Sequence, residues 1–287
     1  MESIKQDGML EALRISLFDA GLTTTFDDSI ICPLCWQEKG LVELTVEHII
    51  PGSVGGRAVT LTCRNCNNDQ GSSHDSLLSR FQTMTDQIRG HGQMPVEMIV
   101  NDKRLAANLH WGDGHKQFTV VPQATNPRMS EAIQSEFREG KVGDFKVQWA
   151  MAHSKAGFQR SVLRVAYLAL FQLFGYAYTR HDIVQVLRRR ISDTSMTAPN
   201  LAPIIIHVQN DLGQPQWNYI AIPGKINAVA FFLVIIRLKK ETHSYVGVFM
   251  PVPKDGCHEF FAQMEQFAKE WAKKPFTIPS DAECWDG

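Results

Sequence analysis

Four cysteines in this chain are paired by spacing. Cys32 with Cys35 and Cys63 with Cys66 each form a Cys-x-x-Cys turn, with 27 residues between the two pairs. Each turn aims two sulfurs at one point, and two turns folded together close a tetrahedral zinc site with no open coordination position. Such a zinc is structural, supplying folding free energy to a module too small to bury much surface. Between the pairs stand Glu47 and His48, and Asn67 follows the last cysteine directly. A carboxylate and an amide oxygen suit a hard cation such as Mg2+ or Mn2+, which prefers oxygen ligands and keeps several waters. A neutral imidazole nearby can take a proton from water near neutral pH. These parts suffice to hydrolyse a phosphodiester, with His48 as general base and Glu47 and Asn67 holding the cation. Consecutive strand residues point to opposite faces, but a twist or bulge at the strand end can leave one to bind the cation and the other to address a water.

The local pattern around these residues is short and punctuated. Leu41–Val46 alternates as a strand that ends at Glu47-His48, followed by Ile49-Ile50-Pro51 and a Gly-rich loop, Gly52 to Gly56. A second strand, Val59–Thr62, leads into Cys63, and Ser72 with Asp75 fits a capping box at a helix start. The runs Cys32-Pro33-Leu34-Cys35, Glu47-His48-Ile49-Ile50-Pro51, Gly55-Gly56 and Cys63-Arg64-Asn65-Cys66-Asn67 resemble the HNH endonuclease family, of the type with two zinc-binding pairs. The resemblance covers the stretch from Ile31 to Leu78. It implies the ββα-metal nuclease fold and a divalent-metal-dependent cut of nucleic acid, most often DNA, leaving a 5′-phosphate and a 3′-hydroxyl. By position it implies His48 as general base, with Glu47 (where the family usually has Asp) and Asn67 as ligands of the catalytic cation. The family's middle Asn braces the loop and helps orient the base; it normally lies nine residues before the last motif residue, where this chain has Ala58.

Other side chains are candidates of lower rank. Arg57 and Arg64 flank the motif and could hold phosphates, while Asn68 and His74 are reserve ligands. The segment 30–81 carries four basic and five acidic residues, so the module itself is not basic. Residues 155–190 carry seven basic residues against one acid, Asp182. Phosphate contacts dominate nucleic-acid affinity, so Lys155, Arg160 and Arg164 on these helices are the expected grip on DNA; a solvated helix face is the plain alternative.

The elements that must position this chemistry follow from periodicity. Met9, Leu10, Leu13, Leu17 and Phe18 recur at helical spacing and stop at Ala20-Gly21. Strands are expected at Val96–Val100, Arg104–Leu109, Gln117–Val121 and Lys146–Ala150, with a helix near Met129–Glu139. Residues 155–192 read as helical, with Gly175 as a C-cap before a second helix over Asp182–Arg190. Strands follow at Ile204–Val208, Tyr219–Ile222, Ala228–Ile236 and Tyr245–Pro251, then a closing helix over His258–Lys273. The sum is an α+β chain: an N-terminal helix (1–28), a zinc-stapled ββα-metal module (29–90), and a mixed region (91–287) for DNA binding, dimerisation, a regulatory partner or sensing.

Composition narrows the classes that remain. The 287 residues are 44% hydrophobic and 21% charged, which argues against a disordered or coiled-coil chain. The net charge of −1 excludes a globally basic coat, so nucleic acid must be held by a local patch. The N-terminus, MESIKQDGML, lacks the apolar core of a signal peptide. The most apolar stretches, Val165–Phe171 and Ala228–Ile236, are far shorter than the roughly 20 residues of a membrane span and read as core. A cytoplasmic protein without a membrane partner is expected, and Cys257 and Cys284 read as isolated thiols. The leading expectation is a DNA endonuclease serving restriction or anti-phage defence. The rivals are a zinc-ribbon nucleic-acid binder without catalysis, and an interaction protein that zinc merely staples.

Overall fold

The computed structural model describes residues 2–112, 117–123, 126–149, 154–192, 201–208, 216–226, 229–253, 259–271 and 285–286. Cys257 and Cys284 lie outside these residues. The fold is α+β, and its contacts define two compact units. One comprises residues 1–79, 154–239 and 243–287; the other comprises 80–153 and 240–242.

The first unit opens with helix α1 (Glu2–Asp19), which stops where Gly21 takes a left-handed φ of +68°. Leu10 and Leu17 are buried, Leu10 against Ile30, Leu44 and Leu61, and Leu17 beside Phe171 and Tyr176. Phe18, expected on this stripe, is 79% exposed, because one residue beyond Leu17 the helix has turned it away. Strands β1 (Ser29–Ile31) and β2 (Glu38–Gly40) pair antiparallel and enclose the first cysteine turn. Residues Leu41–Glu43 form a 3-10 turn, so the expected strand starts late, as β3 (Leu44–His48). It pairs with β4 (Val59–Cys63), whose end delivers Cys63. A π-helical turn over Cys66–Gly71 then leads into α2 (Ser72–Ile88).

Helices α4 and α5 form the bed of this unit; they follow α3 (Pro127–Arg138), which belongs to the second unit. Helix α4 (Lys155–Thr179) has every residue from Ser161 to Phe171 buried. It is long and apolar enough to cross a membrane by length and composition, but 72% of its most apolar window is covered by the rest of the protein, as in a core helix. Gly175 does not cap it. At φ +59° it breaks the helix internally, and helical geometry continues to Thr179. A Cβ there would sit 1.8 Å from Ser16 Oγ, so the glycine permits the close approach of α1. Helix α5 (Asp182–Ser192) follows. A five-stranded antiparallel sheet completes the unit, in the order β13 (Trp285–Asp286), β10 (Tyr219–Ile226), β11 (Val229–Lys239), β12 (His243–Pro251), β9 (Ile205–Val208). Its central strands are buried almost throughout because both faces are covered. Phe232 stacks on Phe174 of α4, while Phe249 meets Phe267 of α6 (Phe260–Trp271).

The second unit is a four-stranded antiparallel sheet in the order β7 (Phe118–Pro122), β6 (Lys103–Trp111), β5 (Met94–Val100), β8 (Phe145–Gln148), with α3 (Pro127–Arg138). Its core gathers Met94, Val96, Met98, Val100, Leu105, Ala107 and Leu109 around Ile133 of α3. Asn101 and Asp102 both take positive φ, the geometry that a tight two-residue hairpin turn demands.

Candidate active site

The four thiols converge. The Sγ atoms of Cys32, Cys35, Cys63 and Cys66 all lie within 4.8 Å of one another, and Cys35 and Cys63 are 3.8 Å apart. Sulfurs bound tetrahedrally to zinc at about 2.3 Å are spaced by about 3.8 Å, so the donor set fits that ion. Helices α4 and α5 hold the first cysteine turn by its backbone. Tyr167 donates its hydroxyl to Pro33 O at 2.7 Å, Tyr176 donates to Ile31 O, and Arg188 donates to Leu34 O at 3.0 Å while lying over the Trp36 ring.

The β3–β4 hairpin carries the motif. Its register is continuous, with Glu47 opposite Thr60 and His48 opposite Val59, so the expected bulge is absent. The two side chains therefore obey the alternation of a regular strand. Glu47 is 2% exposed and His48 is exposed. Glu47 Oε1 accepts from Arg164 Nη2 at 2.8 Å, and both side chains are 2% exposed. Thr62 Oγ1 donates weakly to Glu47 Oε2 at 3.5 Å. Burial pushes the Glu47 carboxyl upward, and the Arg164 charge works against that.

Asn67 is brought to the same place. Its Nδ2 donates to Val46 O at 3.1 Å, which fixes the amide and leaves Oδ1 on the other side. Gly71 marks where the donors meet: a Cβ built on it would lie 3.1 Å from Asn67 Oδ1, 3.7 Å from Arg164 Nη2 and 3.8 Å from Glu47 Oε2. The oxygens of Glu47 and Asn67 thus flank one small space, a pair suited to a hard divalent cation. Asp75, one helical turn beyond Gly71, is half-buried. Burial raises its carboxyl, while Arg164 and His48 pull it down. His74 is buried with Nδ1 2.9 Å from Ser161 Oγ; burial first, then Arg164 and Arg160, lower it to about 4.

Ala58 leaves the loop between β3 and β4 without a side-chain brace of its own. Asn218, which is 4% exposed and precedes β10, supplies one: its Oδ1 accepts from Arg57 N at 2.7 Å and from Ala58 N at 3.4 Å. Ile49 N donates to Ala58 O at 3.0 Å across the loop neck. Gly56 is required there, since a Cβ would fall 1.7 Å from Ile50 O.

The basic helices do not form the expected open grip. Arg164 is buried on Glu47, Arg180 donates to Ala20 O, Arg188 braces Leu34, and Arg190 lies 3.9 Å from the Phe261 ring centre. Spent on interior carbonyls, rings and one acid, these charges are no longer a phosphate-facing stripe. Lys155 is exposed and Arg160 half-buried, while Arg57 and Arg64 are exposed around the hairpin. Sequence reasoning passed over Ser161, Asp75 and Asn218 as site residues. The one local signal was Ser161 and Arg164 standing inside an otherwise apolar helical run.

Residues 32–82 match the HNH endonuclease family. The match takes in all four cysteines, Glu47, His48, Asn67 and Asp75, and leaves out Arg164, Ser161 and Asn218. Neither a curated protein nor a solved structure matches the chain.

Proposed function

We propose that the chain is a metal-dependent endonuclease that hydrolyses DNA phosphodiester bonds. The observation that carries this reading is the approach of Glu47 Oε2 and Asn67 Oδ1 to the Gly71 position, within a segment that matches a nuclease family and has His48 exposed at the end of the same strand. Glu47 and Asn67 would hold Mg2+ or Mn2+, which supplies Lewis-acid stabilisation of the phosphate and the departing oxygen. His48, exposed at the end of β3, takes the proton of the attacking water. A phosphodiester laid on the rim of the hairpin reaches His48 from solvent, with Arg57 and Arg64 exposed to hold flanking phosphates and the exposed Lys155 and half-buried Arg160 as further candidates. The thiols hold zinc as a staple and take no part in the chemistry. By family analogy, a nuclease of this kind acts in the cytoplasm under restraint, in restriction or anti-phage defence.

A second reading, a zinc-stapled nucleic-acid binder without catalysis, draws on the pairing of Glu47 with Arg164 and the opposed faces of residues 47 and 48. Plasmid nicking in Mg2+ or Mn2+ separates the two. The nuclease reading expects nicking by the wild type and a loss of about 10²- to 10⁴-fold in His48→Ala, the size of a general-base contribution. If the wild type is as inert as His48→Ala yet shifts DNA on a gel, the binder is correct.

A further inference from the structure

We infer that Arg164, outside the family match, is a positioning residue for the cation site: its guanidinium holds one oxygen of Glu47 so that the other faces Asn67. The inference rests on the reading of Glu47 and Asn67 as cation ligands and adds a residue to it.

Three observations support it. First, the two carboxylate oxygens have different surroundings. Oε1 is taken by Arg164 Nη2 at 2.8 Å, and Oε2 lies with Asn67 Oδ1 around the Gly71 position. A carboxylate that binds metal through one oxygen is aimed by the hydrogen bond to its other oxygen. Second, Arg164 is itself set in place by a stripe on α4. A Cβ on Gly157 would lie 2.9 Å from Leu77 Cδ1, so α4 and α2 approach closely there. One turn on, Ser161 Oγ meets His74 Nδ1 at 2.9 Å, and the next residue of the stripe is Arg164. The guanidinium is thus fixed by the packing of two helices before it touches Glu47. Third, Arg164 is 1% exposed and its Nε finds no hydrogen-bond acceptor among the described residues. A buried donor left unmatched is costly, and a pair optimised only for stability would satisfy it.

The test is Mn2+ binding by the zinc-loaded full chain, read as free Mn2+ by electron paramagnetic resonance. Zinc content and melting serve as folding checks. Wild type should bind Mn2+ and Glu47→Gln should lose it. Arg164→Met should bind about 10- to 100-fold more weakly, the usual effect of removing a metal ligand's orienting partner. Arg164→Lys, which keeps the charge but not the fork, should fall between them. Unchanged or tighter Mn2+ binding by folded Arg164→Met overturns the inference, since a mere brace would leave affinity alone and a competitor cation would weaken it. If Arg164→Met fails to fold, Arg164→Lys decides: affinity equal to the wild type overturns the inference, and a several-fold loss supports it. Absence of Mn2+ binding in the wild type overturns the cation-site reading and the inference together. Loss in Glu47→Gln with full binding in Arg164→Met overturns the inference alone.

Discussion

His74 shows how a side chain on the module depends on the helix beneath it. Ser161 already gives its hydroxyl proton to Gly157 O at 2.9 Å, so the imidazole donates from Nδ1 and stays neutral. Burial holds its folded value at about 4 against 6.5 for the free side chain. Above pH 6.5 neither the folded nor the unfolded chain carries the extra proton, and the stability from this site is intact. Between 6.5 and about 4 the unfolded chain takes up a proton that the folded one refuses, so stability falls as pH falls. The full effect is at most about 3 kcal/mol, at roughly 1.4 kcal/mol per pKa unit. Urea unfolding at pH 7 and pH 4.5 should show the loss in the wild type and a smaller one in His74→Asn. Zinc release at acid pH weakens both proteins alike, so the difference between them isolates the imidazole. Equal losses would remove His74 from the account.

Among the elements, the loop between β3 and β4 depends most on a distant residue. Asn218 is 161 positions from Arg57, and its Oδ1 satisfies two backbone donors just before β4, whose first residue, Val59, pairs with His48 at the end of β3. Asn218→Ala should cost about 1–3 kcal/mol, the range for leaving buried donors unmatched, and should slow nicking with His48 unchanged. Asn218→Asp keeps an acceptor and should lose less of both. This brace was not legible in the sequence, nor was the Glu47–Arg164 pair, whose partners are 117 residues apart. Neither contact leaves a mark in local periodicity. What was legible is local: the cysteine turns, the β3–β4 hairpin, α2, and most strand positions in both sheets. Charge counting misled for the same reason. Seven basic residues between 155 and 190 suggest an exposed stripe only if nothing folds over them, and α1, the zinc turn and α6 do. The missing bulge has a simpler cause. The strand pairs regularly to its end, so Glu47 reaches the Gly71 position with Asn67 while His48 keeps the opposite face.

At the scale of the whole molecule, the four-thiol site and the two units predict which parts would need a bound metal. The thiols tie β1, β2, β4 and the turn into α2 to one point. Around that point the hairpins β1–β2 and β3–β4 are short, and apart from the thiols they are joined by one small cluster, Ile30, Leu44 and Leu61 against Leu10 of α1. Isolated hairpins are marginal in water, so the metal should carry much of the order of this region. The second unit has a core of its own around Ile133 and no cysteine. Stripping zinc with a strong chelator should therefore raise amide exchange over the non-proline residues of 29–71, and around Tyr167 on α4 and Arg188 on α5, whose side chains hold the carbonyls of Pro33 and Leu34. Protection in β5, β6 and α3 should stay near its starting level, because a buried apolar cluster and a paired sheet do not depend on the thiols. Cys63→Ser should reproduce the pattern without chelator, since loss of one ligand opens the tetrahedron at the foot of β4. Uniform exchange over both units after stripping would show that they unfold as one cooperative block, and unchanged exchange over 29–71 would show that the hairpins stand without the metal.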